Sequence, residues 1–356
     1  MNRKAEEHKS ARRIDEWRRV EDSLCTQHTL CIDNRGVFQS RIDALCRTPA
    51  PRQATFAKPL ARWDRAVSDK REAPDNRPLA MSRNSIPDLY EKYDEGTPLT
   101  MLTAYDAPIA RQVDRGGVDM ILVGDSAGDN HLGYDDTLPV TLEEALSNTA
   151  AVVRGTDEAF IVADLPFLTY GTSMEESVQN AGRFLKEADA DAVKLETAPY
   201  GETTIEIVDR LTELGIPVQG HVGLTPQRKH EIGGSYVQGR DTDTSSPGEA
   251  IVETAKRLEE AGAFSIVLET VSEGVAREVS EAVDVPTIGI GSGRYVDGQV
   301  LVISDVLGLG AEPYSLSKQY ADLDSEIRSA VEDYVDEVET GVFPTRDNAF
   351  DPIDEG

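Results

Sequence analysis

From Met81 onward this 356-residue chain contains no cysteine, no tryptophan and only six lysines. Without thiols that body can hold no disulfide framework, no thiolate metal site and no cysteine nucleophile. Nowhere is there an apolar run near the length of a membrane span, and the charged opening does not read as a secretory signal. A soluble, cytoplasmic protein is the expectation. Basic charge is scarce as well: the formal net charge is −29. A polyanion of this size argues against nucleic acid and anionic membranes as partners.

The deficit is uneven. Residues 1–80 carry 17 basic and 12 acidic side chains, whereas residues 81–356 carry 19 and 53, a net of −34. All three cysteines (Cys25, Cys31, Cys46) and both tryptophans (Trp17, Trp63) lie before the break. Intervals of five and then fourteen residues between those cysteines, with His28 among them, match no common zinc module. Residues 1–80 therefore read as a basic, disordered or irregular extension, with Met81 as a working start, and 81–356 as the catalytic body. Dense carboxylates with few lysines suit a protein that stays soluble in concentrated salt, where screening suppresses their repulsion.

From Ile86 short apolar strands alternate with helical patterns. The strands are expected at Leu99–Tyr105, Met120–Gly124, Phe160–Ala163, Ala192–Glu196, Val218–His221, Ser265–Glu269, Thr287–Ile290 and Val300–Ser304. Helical periodicity falls at Thr141–Arg154, Ser173–Ala188, Thr203–Leu214, Pro247–Ala261 and Glu273–Ala282. Eight strand–helix units in about 250 residues predict an α/β fold, a (β/α)8 TIM barrel, rather than an open doubly wound sheet. No Gly-x-Gly-x-x-Gly follows the first strand. The Gly289–Gly293 run after strand seven is either an anion-binding loop or a tight turn.

Polar residues collect at the strand ends. Asp125 and Ser126 follow the second strand, Asp164 the third, and Glu196, His221 and Glu269 end the fourth, fifth and sixth. In a barrel these ends share one face, and that face carries the chemistry. Lys194 and Glu196, two residues apart on one strand, point the same way. A buried ammonium and carboxylate there cost several kcal/mol unless something uses them; an ordinary ion pair at a sheet edge is the alternative.

Asp125, Asp164 and Glu196 offer oxygen-only ligation, which selects a hard dication, Mg²⁺ first. A dication would also keep three neighbouring carboxylates ionised. Lys194 beside them suits a substrate carboxylate, and metal plus lysine suits a 2-oxo acid whose C3 proton becomes acidic. Glu269 is the candidate base. Lys194 could instead form a Schiff base, which crowding carboxylates disfavour by keeping it charged.

The motifs Thr103–Asp106, Val123–Ser126, Thr137–Thr141, Ala163–Phe167, Val193–Glu196, Gly220–Pro226, Val237–Arg240, Leu268–Glu269 and Asp297–Leu301 resemble those of the ketopantoate hydroxymethyltransferases. The likeness runs in family order from about Ser85 to Pro344, in an acidic, haloarchaeal-type form, and leaves residues 1–80 without a counterpart. It implies transfer of a one-carbon unit from 5,10-methylenetetrahydrofolate, the co-substrate, to the oxo acid 3-methyl-2-oxobutanoate, giving 2-dehydropantoate for pantothenate and coenzyme A. It further implies Asp125, Asp164 and Glu196 as Mg²⁺ ligands. Asp125, Ser126, Asp164 and Lys194 would hold the oxo acid, and Glu269 would be the proton acceptor. His221 is expected either to contact the substrate or to be hydrogen-bonded within the wall. A homo-oligomer, often a decamer, is a further implication.

Two positions depart from the family pattern. Asn148 stands where histidine is expected, an exchange read as lying on a helix face away from the metal. Glu312–Lys318 replaces a Pro-Lys-Phe run on the rim that would face the folate. The alternative activity is that of a Mg²⁺-dependent lyase or mutase acting on phosphoenolpyruvate or an oxo acid; that class commonly uses a lid cysteine, which the body lacks. A chain beginning at Met81 is expected to fold and turn over normally, and a large loss of activity in that chain would show that residues 1–80 contribute to catalysis.

Overall fold

The computed structural model describes residues 83–234, 236–240, 247–310 and 316–350. The readings made for residues 1–80, and for Glu312–Ser315 of the altered rim, lie outside these residues.

Eight parallel strands close into one barrel in sequence order. They are β1 Leu99–Thr103, β2 Met120–Val123, β3 Phe160–Asp164, β4 Ala192–Glu196, β5 Val218–Gly223, β6 Ser265–Glu269, β7 Thr287–Ile290 and β8 Gly298–Leu301. The helices are α1 Ile86–Asp94, α2 Ala107–Arg115, α3 Leu142–Gly155, α4 Met174–Glu187, α5 Glu202–Glu213, α6 Lys229–Ile232, α7 Gly248–Glu260, α8 Glu273–Ala282, α9 Ile303–Leu307 and α10 Leu323–Thr340. The expected TIM barrel is the fold of this chain. Local signals start the helices: Thr141 and Glu144 form a capping box on α3, and Ser173 accepts the Glu176 N–H at the start of α4.

Strand periodicity sorts the core into two layers. Ile121, Val123, Ile161, Ala163, Val193 and Leu195 face outward against the helices. Leu99, Met101, Met120, Leu122, Phe160, Val162, Phe264 and Val267 fill the lower interior, where Leu89 of α1 joins them. Ala192 belongs to the inner layer, so Lys194 and Glu196, two and four residues on, also point inward. Asp164 follows Val162 inward, and Glu269 follows Val267.

One strand is displaced from its expected span. β8 runs Gly298–Leu301 rather than Val300–Ser304, and Ile303 already opens α9. A glycine start reads as a turn, but Gly298 pairs with both Leu99 and Ile288. A Cβ there would meet the Leu99 carbonyl oxygen at 2.6 Å, so the barrel closes where only glycine fits. The Gly289–Gly293 run is a tight turn: the Ser292 hydroxyl donates to the Leu268 carbonyl (2.7 Å) and accepts the Val271 N–H.

Carboxylates also line the opposite, N-terminal end, where their task is structural. Asp119, just before β2, accepts the Thr100 N–H of β1 and pairs with Lys92. Asp191, just before β4, accepts the Ile161 N–H of β3 at 2.8 Å and two bonds from Arg83. Asp297, just before β8, accepts the Thr287 N–H of β7. Each satisfies an amide that the parallel ladder leaves unpaired at a strand start. Asp191→Ala should lower unfolding stability by about 1–3 kcal/mol while leaving turnover of the folded protein unchanged. Denaturant melts and steady-state rates of that variant check both halves, and a loss of kcat at full stability would contradict the assignment.

Candidate active site

The strand register brings the chemistry to one level of the barrel mouth. Asp164 lies opposite Lys194, Glu196 opposite His221, and Gly223 opposite Glu269. Lys194 Nζ sits 2.7 Å from Asp164 Oδ1, both side chains being about 6% exposed. That ammonium is the partner of a buried carboxylate oxygen, so the two form a charged pair shielded from water. The other Asp164 oxygen accepts the backbone N–H of Asp125 at 3.1 Å. Ser126 Oγ lies 2.9 Å from the Tyr105 hydroxyl.

His221 stands between Lys194 and Glu269, with Nδ1 3.3 Å from Lys194 Nζ and Nε2 3.4 Å from Glu269 Oε2. Burial and the Lys194 charge push its pKa well below the ordinary value, so the ring is neutral. An ammonium can only donate, which makes Nδ1 the acceptor and leaves the proton on Nε2, which lies 3.4 Å from Glu269 Oε2 without a hydrogen bond to it. Backbone geometry supports Glu269 as well. Gly223 takes φ +99° because a Cβ would meet the Glu269 carbonyl oxygen at 2.4 Å. Thr270 is held at φ 52°, a costly region for a β-branched residue, by a bond from its N–H to Ile290 and one from the Gln238 N–H to its carbonyl.

The sequence reading named seven site residues as candidates and missed an eighth, Gln227. Its backbone N–H donates to Glu196 Oε2 at 3.1 Å, and its Nε2 to Asp125 Oδ2 at 2.8 Å and the Leu165 carbonyl at 3.0 Å. Its Oε1 accepts from the Tyr170 hydroxyl at 2.8 Å. Gln227 thus ties three βα loops together. The one available signal was its place directly after Gly220–Pro226. Asn148 lies half-buried on α3, with its Nδ2 shielded and without an acceptor.

Packing so many carboxylates together moves their titrations. Burial, then the charge of Asp164, raises the pKa of Asp125 to about 7 against the pull of Lys194. Burial, then Asp125, raises Glu196 well above its usual range. Burial raises Glu269 to about 8, with Lys194 opposing and Asp125 and Asp164 adding. For Lys194, burial works against the charge, but Asp164, Glu196 and Asp125 outweigh it and hold its pKa above that of a free lysine. The ammonium is therefore permanent, which removes the Schiff-base role in the resting protein.

As they stand, Asp125, Asp164 and Glu196 do not converge as a ligand set: among the described residues no three His, Cys, Asp or Glu side chains do so. Asp164 is turned toward Lys194, and Gln227 donates to the other two. Their donor chemistry nonetheless fits a hard dication. All three are oxygen-only and buried, and the one ammonium beside them, that of Lys194, does not balance three carboxylates.

Barrel and site together define a (β/α)8 enzyme with a buried carboxylate–lysine centre at the C-terminal strand ends. The family model described as ketopantoate hydroxymethyltransferase matches residues 83–346. A 3-methyl-2-oxobutanoate hydroxymethyltransferase of Halobacterium salinarum is 52% identical over 264 residues, covering 74% of this chain and 94% of that protein. One from Thermotoga maritima is 53% identical over 253 residues, covering 71% and 91%. The chain belongs to the ketopantoate hydroxymethyltransferase family. The barrel is also similar to that of phosphonopyruvate hydrolase, with a TM-score of 0.50 at 13% identity over 77% of this chain and 93% of the other; that likeness shows the fold alone.

The raised carboxyls set a pH dependence. Asp125 and Glu269 titrate at about 7 and 8 when folded, against 3.8 and 4.5 for the free groups. Folded protein therefore keeps protons that the unfolded chain has released. Stability of the metal-free protein should fall as pH rises through that window, by at most about 1.4 kcal/mol per pH unit for each group. Denaturant melts at pH 5 and pH 8 measure the slope, and Glu269→Gln should flatten it. An identical slope in the variant would show that Glu269 binds no extra proton on folding.

Proposed function

We propose that this protein transfers the one-carbon unit of 5,10-methylenetetrahydrofolate to C3 of 3-methyl-2-oxobutanoate, giving 2-dehydropantoate. Family membership supports the reaction, and one observation supports the mechanism: a permanently charged, buried lysine lies among three carboxylates, with a fourth carboxyl across a neutral histidine.

In this reading Lys194 binds the substrate carboxylate, and the Ser126 hydroxyl, braced by Tyr105, positions the oxo group. Asp125, Asp164 and Glu196 would hold Mg²⁺. When bound, the ion supplies the positive charge that polarises the oxo acid and offsets the three carboxylates. Glu269, as carboxylate, takes the C3 proton. The electron pair left on C3 then forms the new carbon–carbon bond to the one-carbon unit, both bonds from that carbon to the folate nitrogens break, water supplies the hydroxyl, and the nitrogens take up the second water proton and the proton held by Glu269 as tetrahydrofolate leaves. His221 accepts from Lys194 on Nδ1, and its Nε2 proton lies close enough to Glu269 to bond it once substrate draws the two together. Gln227 fixes Asp125 and Glu196 from above. Raised carboxyl pKa values hold protons while the site is empty, and an incoming cation would displace them.

C3 deuterium exchange into 3-methyl-2-oxobutanoate, with Mg²⁺ and without folate, tests substrate, metal and base together. Wild-type protein should exchange, and Glu269→Gln should slow exchange by about 10²–10⁴-fold. Retention of the C3 proton in the wild type would sink the enolisation step. Glu196→Gln should weaken Mg²⁺ binding measured by calorimetry, and unaltered affinity would remove Glu196 from the ligand set.

A further inference from the structure

The ladder between β3 and β4 stops one rung short at the barrel mouth. The Leu165 N–H still donates to the Lys194 carbonyl at 3.0 Å. In a parallel ladder the next bond would run from the Glu196 N–H to the Leu165 carbonyl. Neither group takes that partner. The Glu196 N–H donates to the Tyr170 hydroxyl at 3.2 Å, and the Leu165 carbonyl accepts Gln227 Nε2 at 3.0 Å. Tyr170 has one hydroxyl proton, and its shortest acceptor is Gln227 Oε1 at 2.8 Å, with the Glu196 carbonyl at 3.3 Å. A phenol and an amide, brought from the third and fifth βα loops, thus occupy the missing rung between the strands that end in Asp164 and Glu196.

This insertion decides which end of the amide faces the carboxylates. With Oε1 taken by Tyr170, Nε2 is left to face Asp125 Oδ2 at 2.8 Å. An amide turned over would set an oxygen against that carboxylate. The short turn that carries Gln227, Pro226–Arg228, is anchored on two sides. The Gln227 N–H donates to Glu196 Oε2 at 3.1 Å, and Lys229 pairs with Asp136 of the second βα loop. One oxygen of Asp125 and one of Glu196 are thereby committed to Gln227. Among the described residues no hydrogen bond reaches the other oxygen of either, Asp125 Oδ1 or Glu196 Oε1.

We propose that Tyr170 and Gln227 are positioning residues for the dication. They hold the ends of β3 and β4 apart and occupy one oxygen each of Asp125 and Glu196, which leaves the second oxygen of each for the ion. Neither residue touches the ion itself. Groups that hydrogen-bond to ligating carboxylates fix their orientation and so set affinity. An amide suits this place better than a lysine or arginine would. It orients the same oxygens without adding a positive charge that would repel the ion. The proposal rests on the ligand set of the hydroxymethyl-transfer reading, and its test separates the two.

Tyr170→Phe keeps the ring and removes only the hydroxyl, and Gln227→Met keeps the side-chain length and removes the amide. Calorimetry with Mg²⁺ alone, and titration with Mn²⁺ followed by its EPR signal, should show affinity falling about 10–100-fold in each variant. The Mg²⁺ concentration that gives half-maximal C3 deuterium exchange should rise in step. In the double variant the loss should be smaller than the two single losses combined, because Tyr170 acts through the Gln227 amide. Tyr170→Phe, the milder change, carries the test if melts show that Gln227→Met does not fold. Wild-type dication affinity in the folded variants would overturn the assignment, as would losses that add in full. A wild-type protein that binds neither ion would overturn the ligand set and these roles with it. If the variants lose the cation as expected while the wild type neither exchanges nor transfers, the hydroxymethyl-transfer reading falls and the positioning roles stand.

Discussion

A barrel mouth that buries Asp125, Asp164 and Glu196, with Glu269 partly exposed beside them, around a single ammonium, that of Lys194, is short of positive charge, and most of the site's construction answers that shortage. Like charges in a low-dielectric space cannot all ionise, so protons are retained on Asp125 and Glu269 near neutral pH. Uncharged donors supply part of what is missing: Gln227 gives two N–H groups to two carboxylates, and the Asp125 amide gives one to Asp164. Such a site is held open at a cost to stability.

The same shortage explains the position of His221. A charged histidine between Lys194 and Glu269 would repel the lysine; a neutral one can accept from the first and face a donor to the second. The imidazole therefore sits between Lys194 and Glu269 while carrying no charge. Strain at Thr270 and the tight approach at Gly223 fix the backbone of Glu269 beside the histidine.

Acidic residues serve two separate purposes in this molecule. At the N-terminal ends of the strands Asp119, Asp191 and Asp297 accept amides and cationic partners, and nothing about them is catalytic. At the C-terminal ends the carboxylates have few donors and face each other. Composition alone treats both groups, and the many surface carboxylates, as one acidic total. Local partners distinguish them.

Much of this was legible in the chain itself. Alternation of apolar strands with helical periods determined the barrel, because period 2 and period 3.6 burial are local properties. Polar residues at strand ends determined the candidate site, because a closed parallel barrel collects those ends on one face. The start of β8 was not legible: Gly298 belongs in a strand only because Leu99 and Ile288 approach it from both sides. Gln227 was hidden for a similar reason. Its partners Asp125 and Leu165 lie 102 and 62 residues away, and no spacing rule connects them. Sequence thus settled which side chains face the mouth, through a periodicity written in each strand. Which of them touch and which keep protons were decided by the closure of the barrel, which alone sets distances between residues far apart in the chain.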